Sequence, residues 1–163
     1  MSSLISYGIG TDPDAASDPE APTEIQNNGF WPAIEPENFI TAERIDSSVT
    51  AARVEQELRI AIGDINRQLS DFQAKKVAAG YATIDDVPHP VWATESHYTT
   101  LYLRAVYATA RASLMERYRD ISATGAGDAL GQAKNESADD YRRDARWAVS
   151  EIEGRTHSTV ELI

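Results

Sequence analysis

No cysteine occurs anywhere in the 163 residues. That excludes disulfides, thiol nucleophiles and every cysteine-ligated metal site, and it suits a reducing compartment. No apolar run approaches the roughly 18–20 residues of a membrane span. The opening MSSLISYGIG lacks the basic n-region and long apolar core of a signal peptide, so none is expected. Basic residues are few: 15 Lys and Arg stand against 26 Asp and Glu, a formal net charge of −11. That balance argues against a general nucleic-acid binder, which needs a basic face to displace counterions. What is present is a length suited to one domain with a real core and an ordinary 42% hydrophobic content.

The acidity is unevenly placed. Residues 1–43 contain eight acids and no Lys or Arg, so −8 of the −11 lies in the first quarter, and five of the seven prolines lie there too. Residues 1–29 are poor in large apolar groups and rich in Pro, Asp and Ser. Such a segment buries too little surface to offset its ordering entropy, and it reads as an extended or disordered arm, or as one that orders on a neighbouring subunit. Phe30, Trp31 and Pro32 end it abruptly. Two adjacent aromatics at such a boundary either cap the domain's own core or contact a partner.

Beyond them the periodicity is helical. Pro36 fits the first position of a short helix over about 36–44. Thr50 is a candidate N-cap for a long helix to about Ala79, closed by a left-handed Gly80. Val54, Leu58, Ala61, Ile62, Ile65, Leu69 and Phe72 share one face of it, with Glu55 and Arg59 paired on the wet side. Asp85-Asp86-Val87-Pro88-His89-Pro90 is a turn. A second long helix over about 96–121 carries two nearly opposite apolar stripes, one through Leu101, Ala105, Ala108, Ala112 and Met115, the other through Leu103, Tyr107, Ala110 and Leu114. A helix apolar on two sides belongs in the middle of a bundle. Residues 122–136, with three glycines, read as a loop. Ser137 then caps a last helix that turns Tyr141, Ala145, Ala148, Val149 and Ile152 inward and ends at Gly154. Trp147 lies about 120° from that stripe by the 3.6-residue period. A large aromatic off the core face suits an interface, unless a neighbouring helix or the tail covers it.

The whole predicts an all-α fold: a compact helical bundle with two long helices over 30–154, an N-terminal arm over 1–29 and an extended tail over 155–163. RTHSTVELI at the end alternates and is β-branched, a strand with no partner in a helical chain and unstable alone.

Chemistry is sparse. His89, His97 and His157 show no i,i+4 pairing of a helical metal site. Gly125-Ala126-Gly127-Asp128-Ala129-Leu130-Gly131 has the wrong spacing for a dinucleotide fingerprint and no strand before it. Neighbouring acids fit turn and helix-start preferences. No catalysis, cofactor or metal is expected.

The ordered pieces FWP at 30–32, KKVAAGY at 75–81, DDVP at 85–88, ASLMERYR at 112–119 and RRDARWAVSEIEG at 142–154, followed by an apolar C-terminal end, carry a resemblance. From residue 30 onward the chain resembles the head completion proteins (L-type) of temperate contractile-tailed phages. The resemblance implies a structural protein of the virion, assembled in the host cytoplasm and placed at the head–tail junction. It implies docking beneath a dodecameric portal protein after DNA packaging, a twelve-fold ring of neighbouring copies that extends the channel, and a surface for the next neck or tail completion protein. No membrane partner is implied, and genomic DNA would pass without sequence-specific binding. By the same resemblance the tail, Arg155, Thr156, His157, Ser158, Thr159, Val160, Glu161, Leu162 and Ile163, would grip the portal by strand addition. Trp147, Arg143, Phe30, Trp31 and a face of the 50–79 helix would serve subunit contacts. The alternative is a free acidic regulatory protein that binds basic partners, which would be strongly salt-sensitive.

Overall fold

The computed structural model describes residues 24–122 and 128–155, with side chains described except over 118–122 and 128–137. Five α-helices and one 3-10 turn follow in order: α1 (Pro36–Ala42), α2 (Ala51–Gln68), α3 (Ser70–Ala78), the turn Ile84–Asp86, α4 (His97–Ser122) and α5 (Asp128–Ile152). The fold is all-α. Among the described residues the only β pairing is an isolated antiparallel bridge between Ile25 and Ile34.

Local chemistry explains most of the boundaries. Pro36 opens α1, where a missing N–H costs nothing. The Thr50 hydroxyl accepts from the Arg53 N–H at 3.3 Å and starts α2. Three helices close with the same paired bonds beyond the last turn. After α3, Gly80 N–H reaches Val77 O and Tyr81 N–H reaches Lys76 O. After α5, Gly154 N–H reaches Glu151 O and Arg155 N–H reaches Ser150 O. Both glycines sit at positive φ, +96° and +69°. The third case, after α1, places Arg44 at φ 48°, a left-handed conformation without a glycine.

Two expected elements differ. The single helix over 50–79 is broken at Leu69 into α2 and α3, because the Ser70 hydroxyl donates to the Arg67 carbonyl at 3.0 Å and competes with the ladder. The interruption is one residue long, so Leu69 stays buried and the apolar stripe continues across it. The last helix begins at Asp128, not at Ser137. Most of residues 128–136 are competent helix formers, and the cost of Gly131 is absorbed. The expected 122–136 loop is therefore largely helical, and residues 123–127 lie outside the described ones.

α4 and α5 pack antiparallel and make the most extensive helix pairing. Arg104 pairs with Asp144 at 3.5 Å, and Arg142 with Glu116. As expected, α4 is covered on more than one side. Leu101, Ala105, Ala108, Ala112 and Leu114 are buried, but so are Tyr102 and Val106, which neither expected stripe contains. Glu57 on α2 is the one buried acid among the described residues, 1% exposed, and Arg117 of α4 approaches it at 2.8 Å. This pair ties α2 to α4 with charge in a seam that is otherwise mostly apolar, apart from the hydrogen bond from the Tyr102 hydroxyl of α4 to Asn66 Oδ1 of α2.

Residues 24–34 complete the core. The N–H and carbonyl groups of Ile25 and Ile34 exchange bonds at 2.8 and 2.9 Å, and Gly29 turns the chain at φ +88°. Ile25, Phe30, Trp31 and Ile34 are all buried. The arm read over 1–29 thus reaches too far: Ile25 to Gly29 belong to the bundle, held by contacts to distant residues that local composition cannot show. Residues 1–23 lie outside the described ones.

Candidate functional site

Of the residues singled out in the sequence, Phe30 and Trp31 lie deepest. Trp31 is 2% exposed. Its ring stacks on Tyr102 at 4.6 Å and 10°, lies near-parallel to Phe72 at 6.1 Å, and receives Phe30 edge-on at 5.0 Å. Its Nε1–H donates to Gln73 Oε1 at 3.0 Å, which also accepts from Asn28 Nδ2 at 3.0 Å. Beside it Asn27, Asn66 and the Tyr102 hydroxyl form a closed set: Asn27 Nδ2 to Tyr102 at 2.8 Å, Tyr102 to Asn66 Oδ1 at 2.7 Å, and Asn66 Nδ2 to Asn27 Oδ1 at 2.9 Å. Burial pushes the Tyr102 hydroxyl up to about 12. Phe30 and Trp31 are anchors of the chain's own core and present no surface to a neighbour.

Trp147 and Arg143 lie on the outer side of α5. Trp147 is 44% exposed, with the Arg143 guanidinium 5.1 Å from its ring centroid, and Arg143 also pairs with Asp140 at 2.7 Å. Asp144 and Glu151, three residues before and four after Trp147, both reach α4, the second through His97 at 3.9 Å. Trp147 therefore borders the α4–α5 seam, half covered by its own chain and half open.

Of the tail, Arg155 is described, and Thr156–Ile163 lie outside the described residues. The bonds that close α5 fix the direction in which Arg155 leaves. Arg155 is exposed and pairs with Glu153 at 3.1 Å. Beside it a cleft of about 350 Å³ opens between α3 and the end of α5, lined by Phe72, Lys75, Lys76 and Glu153 among others. Lys76 lies over the Phe72 ring at 5.2 Å.

The sequence reading passed over Val91 and Trp92. Both are strongly exposed, Trp92 at 76% and Val91 completely, in the connection between the 3-10 turn and α4. The available signal was an apolar pair directly after Pro88-His89-Pro90, outside any periodic stripe. Trp92 meets the His97 ring edge-on at 5.2 Å. His97 in turn reaches Glu151, so this turn and the root of the tail share one end of the bundle. The site is thus a set of surfaces: an exposed aromatic turn, a tail root with a small polar cleft, and a half-open tryptophan on α5. This arrangement suits docking.

Comparison with known proteins agrees in kind. The family model described as phage head completion protein (GPL) matches residues 25–163. The chain is 34% identical over 139 residues to the head completion/stabilization protein of Escherichia phage P2, covering 85% of this chain and 82% of that protein. It is 29% identical over 100 residues to the "probable head completion/stabilization protein" of Haemophilus phage HP1 (strain HP1c1), covering 61% and 67% respectively. No solved structure matches significantly.

Proposed function

Because the chain belongs to the phage head completion protein family, we propose that it docks beneath the portal after DNA packaging, forms a ring that extends the DNA channel, and receives the neck or tail component that follows. The observation that carries this reading is the reach of the family match. It starts at Ile25, the first buried residue among the described ones, and runs to Ile163, so it includes the tail but leaves out the acidic segment before residue 25. In this reading Arg155–Ile163 adds to the portal as an extended strand, whose backbone groups need a second chain to satisfy them. Trp147 and Arg143 supply subunit contact: an exposed tryptophan held by an arginine is the composition enriched at interface centres. The role is structural, in the virion at the head–tail junction. A net charge of −11 per copy, repeated around a ring, discourages DNA from sticking as it passes.

The test is direct. Purified protein mixed with portal should give twelve-fold rings in electron micrographs, and deleting 156–163 should abolish portal binding while leaving a helical monomer. Undiminished binding of the truncated chain in a pull-down would refute the tail's role. Trp147→Ala should weaken ring formation more than monomer folding; a collapse of monomer stability instead would make Trp147 a core residue.

A further inference from the structure

The Val91–Trp92 turn is the most exposed apolar feature among the described residues, and nothing in the core requires it. Building on the reading that the tail anchors to the portal, we propose that this turn is a second anchor on the same partner, seating Trp92 in an apolar cleft rimmed by Lys or Arg side chains.

Three observations carry the proposal. The first is preorganisation. The turn starts with Asp85, whose carboxylate accepts from the Thr99 hydroxyl of α4 at 2.6 Å. Pro88 and Pro90 restrict the backbone within it, Ala93 N–H closes on Pro90 O at 2.9 Å, and the His97 ring supports the Trp92 edge. An exposed tryptophan on a braced turn loses little freedom on binding, which is what a binding hot spot requires.

The second is position. Rings run in an unbroken row from the buried Tyr102 through Trp31, Phe72, Tyr98 and His97 to Trp92, each within 6.1 Å of the next. The turn is thereby braced on the core, and His97 sets it against Glu151, four residues before Arg155. A partner that receives the tail meets this turn as well.

The third is charge. No Lys or Arg occurs between Lys76 and Arg104, whereas Asp85, Asp86 and Glu95 flank the turn, and Glu151 and Glu153 lie at the end of α5. An apolar tip flanked by acids, on a segment with no Lys or Arg of its own, is complementary to an apolar cleft with a basic rim.

The experiment measures binding of full-length chains to purified portal. Trp92→Ala should melt like wild type and bind about tenfold or more weakly, the loss typical of a central tryptophan. Glu95→Lys should weaken binding by a few-fold at low salt, with the difference fading as salt rises. If wild type binds and the tail truncation does not, yet Trp92→Ala binds as wild type, the second anchor is refuted while the tail reading stands. A wild-type chain that does not bind portal overturns both. Self-association of wild type that Trp92→Ala abolishes, with portal binding unchanged, assigns the turn to a second copy and likewise overturns the proposal.

Discussion

Two irregular segments of this chain each carry proline and a tryptophan beside another apolar residue, and they have opposite fates. In residues 24–34 the tryptophan is sealed; in residues 85–96 it stands in solvent. Hydrophobicity alone does not separate them. What separates them is polar bookkeeping. Trp31 brings an indole N–H that finds Gln73, the flanking carbonyl of Phe30 accepts from Ile84 N–H at 3.0 Å, Asn28 Oδ1 accepts from the Phe30 and Trp31 N–H groups, and Asn27 Nδ2 donates to the Pro32 carbonyl. The indole N–H, the amide N–H groups of Phe30 and Trp31 and the Phe30 carbonyl thus all have partners, so the ring can stay inside. Trp92 is braced by neighbours that hold the turn's shape without covering its outer face.

The contrast breaks most visibly by truncating the two rings. Trp31→Ala removes a stacked, buried indole and should cost about 3–5 kcal/mol, enough to unfold much of the population in a thermal or denaturant melt. The polar ring around Tyr102 fails next, at alkaline pH. Its hydroxyl titrates at about 12 in the fold against 10.0 ordinarily. The unfolded chain therefore releases this proton first, and stability should be intact below pH 10 and fall by about 2–3 kcal/mol as pH rises to 12. Equilibrium unfolding at stepped pH reads this, and Tyr102→Phe should flatten that limb. Gly29→Ala should cost about 1 kcal/mol: a Cβ there meets nothing within 4 Å, so the cost is only that of holding φ at +88°. Trp92→Ala should change stability by less than about 0.5 kcal/mol, as a surface substitution does. A large loss there would mean that the two segments are not opposites after all.

Features written within a few residues were legible in the sequence. Pro36, the Thr50 cap, Gly80 and Gly154 all do what their local chemistry predicts, since capping involves partners at most five residues away. The break at Leu69 was hidden because one back-bonding serine leaves the 3.6-residue pattern nearly intact. The early start of α5 was hidden by glycines that look like loop. Tyr102 and Val106 escaped the two-stripe reading because α4 is covered on a third side, which needs knowledge of what packs there. Among the site residues, the outward position of Trp147 followed from helical phase alone. The burial of Phe30 and Trp31 did not, since their partners Gln73 and Tyr102 lie 42 residues or more along the chain. Trp92 was missed because a turn residue has no phase to violate.

Those long separations bear on the order of folding. The bonds that lock residues 24–34 span 39, 42 and 75 residues, whereas α4 and α5 are consecutive helices that meet across a short connection. Closing a long loop costs entropy before any contact rewards it, so the helical hairpin is expected to form early and the N-terminal segment to enter last. Destabilising substitutions at Trp31 should then accelerate unfolding and leave the folding rate nearly unchanged in stopped-flow traces. A chain that folds in this order has a bundle whose final closure comes from the residues that follow its acidic N-terminal stretch.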